Sequence, residues 1–583
     1  MATSATPTEQ TWHPYDSFLI YDTLPHRQEF DLIISDVKST AEPKTDFYDR
    51  SLTSRRYALV GVACSSIFSF SCIIAGIVIL AHHGVLGVTV TNMVSNDPFN
   101  AIIQLDLQRE ILALILNLIV TLCTEPIGFV HGISLRSALA SESRLHFNTN
   151  LRLLTAARGW YNPNGALPNC IMAVLLIISY TSSSVILCYN FGSDGSNITG
   201  SIAIAGLPLL GLGISLLLQV VITLSGMRAV KILTWSSSPF DLTAALIHHT
   251  QLTPDAFRCL RCVSDRDVDG GPAKPSETQP SAWHAHPHIQ VAAFYLWGLV
   301  AAYAGWAALI MYIWDKHASI RMTTDPALPA WSFFPNGNPS SVTYTIPGLN
   351  MQGWTLIFVN LAVIQAPLTL GLHYSELIAN VIRDESQWRC ATGGKGLQVA
   401  MDPLKSIFAH PTCLVLFLAK PFLHWMFGLT FFVDVLASDE IVEKFAVGIY
   451  TAQIWNLCIA LFVFACFFTL FALYRPRGPQ PAAYGHIQTL ANLVDEWSPV
   501  MWWGHKQDQI PYCHAGTSDH PLPDVNVFTL VSVPSPPHLS REKPPPLKAH
   551  LLNNLCRQIY IGAEIILAPL IRVRTVSHVV EFE

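Results

Sequence analysis

Residues Cys413–Val433 read CLVLFLAKPFLHWMFGLTFFV. As an α-helix rising about 1.5 Å per residue, this run crosses the roughly 30 Å hydrocarbon core of a bilayer. Lys420 stands near its middle, and Pro421 follows. One other fully charged side chain lies deep inside an apolar run: Glu125, in ILALILNLIVTLCTEPIGFV, residues 111–130. An isolated charge at such depth costs roughly 3 kcal/mol or more on insertion scales, so each needs a partner or water. One base and one acid in otherwise apolar helices are the sharpest functional signal in the chain.

Seven further runs have spanning length: Tyr57–Leu80, Ile111–Val130, Ile171–Phe191, Ile202–Leu224, Val291–Trp314, Trp354–Leu372 and Ala446–Tyr474. Lipid offers the backbone no hydrogen bonds, so each run is expected to be helical. The fold class read from them is all-α, a polytopic transmembrane bundle of about eight spans. Composition agrees, with 51% hydrophobic and 13% charged residues. Soluble domains carry about 25% charged residues. The small net charge of -6 argues against a nucleic-acid partner. The first 56 residues are polar, so no cleavable signal peptide is expected and the first helix serves as the insertion signal.

Basic residues orient the bundle. With both termini cytoplasmic, 29 of the 34 Lys and Arg residues fall on the inner side. Only Arg109, Lys316, Arg321 and Lys444 fall outside, and Lys420 is intramembrane. The expected division is a cytoplasmic tail 1–56, a membrane domain 57–474 with cytoplasmic loops 134–168, 227–288 and 376–405, and a cytoplasmic tail 475–583. The stretch ILTWSSSPFDLTAALIHH after helix four looks ordered. Leu551–Ile571 is apolar but broken by Asn, Arg, Glu and Pro, and reads as an interfacial helix. No internal repeat is visible, which weakens an inverted-repeat reading.

The remaining motifs are weaker. Cys259-Leu-Arg-Cys262 with His284 and His288 could supply four zinc ligands, but the gap is long and such short patterns match by chance. Asn197 opens a sequon in the short turn between helices three and four. Gln219, Asn360, Gln365, His424 and Asn456 lie inside spans, as a polar path or as interhelical glue. Gly206, Pro208, Gly211 and Gly213 favour close helix packing over local unwinding. His373 and Glu376 share a helix face near the inner end of helix six, where interfacial bonding is the plainer reading. No nucleophile elbow, phosphate loop or zinc-protease motif occurs, so the chain is not read as an enzyme and no cofactor is expected.

Six stretches resemble uncharacterised multi-pass membrane proteins of filamentous fungi: TEPIGFVH (124–131), FNTNLRLLTAAR (147–158), TWSSSPFDLTA (234–244), LHYSELIANVIRDESQW (372–388), PAAYGHIQTLANLVDEW (481–497) and AGTSDHPLP (515–523). That family has no established activity. The resemblance implies a shared membrane architecture and carries over no functional residue.

The expected function is a transporter or channel-like protein of the plasma membrane or an endomembrane, with a polar interior around Glu125 and Lys420. The alternative is a non-catalytic scaffold or sensor that binds partners through its cytoplasmic segments. The lipid bilayer is the expected partner, with a small solute or a protein besides. Glu125 and Lys420 are expected to meet. Each lies about eight residues, or 12 Å, from the inner boundary of its helix.

Overall fold

In the computed structural model all eight runs are helices long and apolar enough to cross a membrane. Residues 52–525 are described, apart from 96–97, 195–196, 256–257, 266–273, 319–340, 348–350, 400–409, 437–443 and 509–512. Tail residues 1–51 and the segment Leu551–Ile571 lie outside the described residues. The chain is a multi-pass membrane protein with a helix-bundle core.

Four helices come from the first half: α1 (Leu52–His83), α2 (Pro98–Ser141), α3 (Ala166–Val185) and α4 (Gly206–Arg228). A short α5 (Pro239–His248) follows, capped by the Ser238 hydroxyl, which accepts from Phe240 N at 3.3 Å. The second half supplies α6 (Pro287–Ala318), α7 (Met351–Arg389), α8 (Pro411–Leu429) and α9 (Thr451–Leu473), then a short α10 (Ile487–Leu493). Each half has its own apolar core. One joins α1–α4 around Ile127, Leu212 and Leu216. The other joins α6–α9 around Trp354, Ile357 and Phe468, and takes in Phe147, Leu151 and Val185 from the first half.

At one end of the bundle, each connection between helices carries strand among its described residues. These are β1 (Val88–Ser95), β2 (Leu187–Asp194), β3 (Asn197–Ile204), β4 (Ser341–Pro347), then β6 (Phe431–Leu436) and β7 (Lys444–Tyr450). They form one sheet in the order β1-β3-β2-β6-β7-β4. All pairs are antiparallel except the central β2–β6 pair, which is parallel, with Tyr189 opposite Asp434. The sheet corrects four span boundaries. Ile171–Phe191 and Cys413–Val433 leave the helix at Val185 and Leu429, while Ile202–Leu224 and Ala446–Tyr474 begin it only at Gly206 and Thr451. Hydropathy alone does not separate an apolar strand from the helix it continues.

At the opposite, base end, β5 (Leu397–Gln398), β8 (Val500–Asp508) and β9 (Cys513–Ser518) form a three-stranded sheet. Residues 475–525, grouped with the tail in the sequence reading, fold onto this base. Trp388, Met501 and Trp503 bury there with Phe240 of α5. Glu385 accepts from Ala483 N and Tyr484 N at 2.9 and 2.8 Å, fixing the segment before α10 to the end of α7.

The element order is duplicated, although no repeat was visible in the sequence. Each half runs helix, strand, long helix, shorter helix, β-hairpin, helix, short helix. Paired helices have matching lengths: 32 and 32 residues for α1 and α6, 23 and 23 for α4 and α9. The sheet order mirrors itself about the β2–β6 pair. With the repeat in hand, a faint echo emerges: TEPIGFV (124–130) in α2 against SELIANV (375–381) in α7. Glu125 lies 30 residues past the end of β1, and Glu376 lies 29 past the end of β4. The halves meet where α2 packs on α8 and α3 on α7, two contacts that are equivalents under the repeat.

Close packing, not unwinding, explains two of the helix-four glycines. α4 is continuous from Gly206 to Arg228. A Cβ at Gly213 would lie 2.8 Å from Ser69 O and 2.9 Å from Ile73 N of α1. Gly206 is less tight, with Ile79, Leu80 and the Gly76 carbonyl 3.0, 3.0 and 3.1 Å from where its Cβ would stand. Ser69 Oγ donates to Gly213 O at 2.6 Å across the same contact.

Candidate functional site: a charge cluster between the halves

Pairing of Glu125 with Lys420 holds, and the pair has further members. Lys420 Nζ donates to Glu125 Oε1 and, at 2.5 Å, to Glu376 Oε1. The lysine side chain is 2% exposed, Glu376 18% and Glu125 32%. Glu376 Oε1 also meets His373 Nδ1 at 2.6 Å and Arg152 Nη2 at 3.1 Å. Arg152 comes from the segment joining α2 to α3. Its guanidinium lies against the α-carbon of Gly128, where a Cβ would sit 2.0 Å from Nη1. The cluster therefore draws on both halves: Glu125 and Arg152 from the first, Lys420 and Glu376 from the second.

A cavity of about 240 Å³ reaches this cluster. Its walls come from α2, α7, α8 and residues 148–153, and include Glu125, Gly132, Asn148, Arg152, Glu376 and Lys420. Four of the six stretches that carry the resemblance contribute to these walls: 124–131, 147–158, 234–244 through Ser237, and 372–388. Near the base, Arg136 donates to Asn148 Oδ1 at 2.6 Å, and Asn148 donates to Asp384 Oδ2 at 2.9 Å. This second polar tie also joins the two halves.

Beyond Lys420 a polar column continues into the bundle. His424 follows one helical turn later and stacks on Tyr180 of α3, with ring centroids 3.7 Å apart. Gln365 Nε2 lies 3.2 Å from His424 Nδ1 and donates to Ser184 Oγ at 3.4 Å. The Tyr180 hydroxyl lies 3.2 Å from both Thr121 and Thr124. His373 Nε2, His424 Nε2 and Gln365 Oε1 are buried with no hydrogen-bond partner among the described residues.

Not every residue read as path-lining belongs to this column. Gln219 donates to Ser179 Oγ at 2.8 Å and ties α3 to α4 within the first half. Asn456 donates to Gln453 Oε1 at 3.1 Å on α9. Asn360 is exposed on α7 and bonds to Tyr344 of β4, so it is outside the bundle interior. Asn197 opens β3 opposite Asp194, at the hairpin tip, roughly 24 Å of strand from the helix ends.

The cysteine–histidine set is not assembled. Among the described residues no three His, Cys, Asp or Glu side chains gather to hold a metal ion. Cys262 Sγ contacts Ser264 and Asp265 instead, each at 3.0 Å. Burial, and Asp265 beside it, push its thiol pKa up, away from the thiolate that zinc requires. His284 Nδ1 lies 3.1 Å from Ser281 Oγ.

Glu376, His373 and Arg152 are the members the sequence reading did not assign to the site. The echo of TEPIGFV in SELIANV was the available signal for Glu376. Set against protein-family models, curated proteins and solved structures, the chain finds no match.

Proposed function

We propose that this protein is a membrane transporter or channel-like protein whose solute path runs through the seam between its two halves. The observation that carries this reading is the cavity reaching a four-membered charge cluster centred on a buried lysine. Ionisable groups at membrane depth typically mark substrate or ion pathways. In parallel-repeat transporters, sites lie at the repeat interface. The column of His424, Gln365 and Tyr180 supplies a continuation, because its unpartnered polar atoms would be satisfied by water or solute.

Cysteine accessibility separates this reading from the scaffold. A cysteine at Gly132, on the cavity wall with open space around its Cα, is expected to react with a membrane-impermeant thiol reagent from the base side. A cysteine at Gln365 is expected to react from the sheet side in part of the population. Protection of Gln365→Cys from both sides would sink the transport reading and leave a scaffold.

The same proposal puts the base end in the cytoplasm, on the Lys and Arg count. Tags at both termini are then expected to be reached only after permeabilisation. Asn197 at the hairpin tip becomes glycan-accessible, and a glycosidase-sensitive mass shift should disappear in Asn197→Gln. A terminal tag labelled in intact cells would reverse the topology.

A further inference from the structure

Glu125 and Glu376 occupy equivalent places on equivalent helices, yet they are not equivalent groups. Glu376 Oε1 accepts from Lys420 at 2.5 Å and from Arg152 at 3.1 Å, and lies 2.6 Å from His373 Nδ1. Protonating it would remove the negative charge that Lys420 and Arg152 share. Among the described residues Glu125 has one ionic partner, Lys420, and it is the more exposed of the two acids. When Glu125 is neutral, Lys420 keeps Glu376, within its own half. No buried charge is then left alone, which is the expensive state.

We propose that Glu125 is a proton-binding site whose occupancy unfastens the α2–α8 contact between the halves. The proton arrives from water in the cavity and forms an O–H bond on the Glu125 carboxylate. Lys420 keeps its three protons and turns from two acids to one. The facing groups are Lys420 from α8, Glu376 and His373 from α7, Arg152 from the α2–α3 segment and Tyr180 from α3. His131 and Arg136 lie further along α2 itself, tied to Asn169 and Asn148. A lysine shared by two symmetry-related acids is a bistable element, and one proton biases it. The inference rests on the transport reading for its use, but the proton site can be measured without transport.

The test uses infrared difference spectra of the purified full-length protein between about pH 8 and about pH 4. The protein's other carboxyls contribute equally to wild type and Glu125→Gln, so the difference between their two spectra is expected to retain one protonated-carboxyl band. At one fixed pH, native Cys413 on the cavity wall is expected to label about tenfold faster in Glu125→Gln, as scored by peptide mass spectrometry. A difference without that band, or Cys413 labelling at the wild-type rate, overturns the proposal. Should Glu125→Gln not fold, Glu125→Asp must shift the band frequency, and an unshifted band overturns it equally. If the band behaves as stated while the Gln365 cysteine stays protected, transport falls and the proton site stands.

Discussion

Lys420→Met is expected to destabilise the protein by about 3–5 kcal/mol, the cost of removing one member of a buried ion cluster. Both Glu125 and Glu376 meet the same Nζ. Without it, two carboxylates face each other at membrane depth, and only Glu376 retains Arg152 and His373. The readout is thermal unfolding of the purified protein in detergent. Adding Glu125→Gln to Lys420→Met should recover much of the loss, since Glu376 then keeps two of its present partners and no unpaired acid remains. A pairwise charge swap, Glu125→Lys with Lys420→Glu, is expected to fail as a rescue. It would set a new carboxylate beside Glu376. An unchanged melting temperature in Lys420→Met, or full recovery by the swap, would remove Glu376 from the account.

Gly213→Val should rank close behind, at about 3 kcal/mol, toward the upper end for overpacking a tight contact. The α1–α4 contact is made by backbone, with Ser69 O and Ile73 N within 3 Å of where the new Cβ would stand. Neither atom belongs to a side chain that could swing aside. Relief requires the helices to part, which also breaks the bond from Ser69 Oγ to Gly213 O. Gly132→Ala is the matched control, because nothing lies within 4 Å of a Cβ there. Equal melting temperatures for the two variants would show that the α1–α4 contact yields easily.

What the sequence made legible follows from how strongly lipid constrains the chain. A bilayer leaves spanning backbone one solution, so eight helices could be counted from hydropathy. The ion pair was legible for the same reason, because unpaired charges at that depth are costly and only one acid and one base were conspicuous. Glu376 was obscured by its surroundings, HYSELIANVIRDES, which read as a helix leaving the membrane. The helix instead runs on to Arg389, and Glu376 stays inside. Arg152 was hidden because a loop arginine counts equally well as a topology signal. The sheet was missed because FFVDVL and KFAVGIY have the hydropathy of span ends. Strand pairing between distant loops leaves no mark on a local window.

The duplicated element order bears on ancestry. A unit with four crossings begins and ends on the same side, so two copies can be fused head to tail without any helix changing direction. Two separate copies could have formed a closed two-fold dimer, with every contact made twice. In such a dimer the glutamates of α2 and α7 would have faced each other as identical partners. Aligned by its start or its end, α3 places Leu175 or Leu176 where α8 has Lys420. A single lysine between twin acids is an arrangement that no assembly of identical subunits can hold. Once fused, the two copies were free to drift apart, one gaining or keeping the cation and the other an apolar residue. Covalent linkage thus permitted a lopsided site inside a symmetric frame.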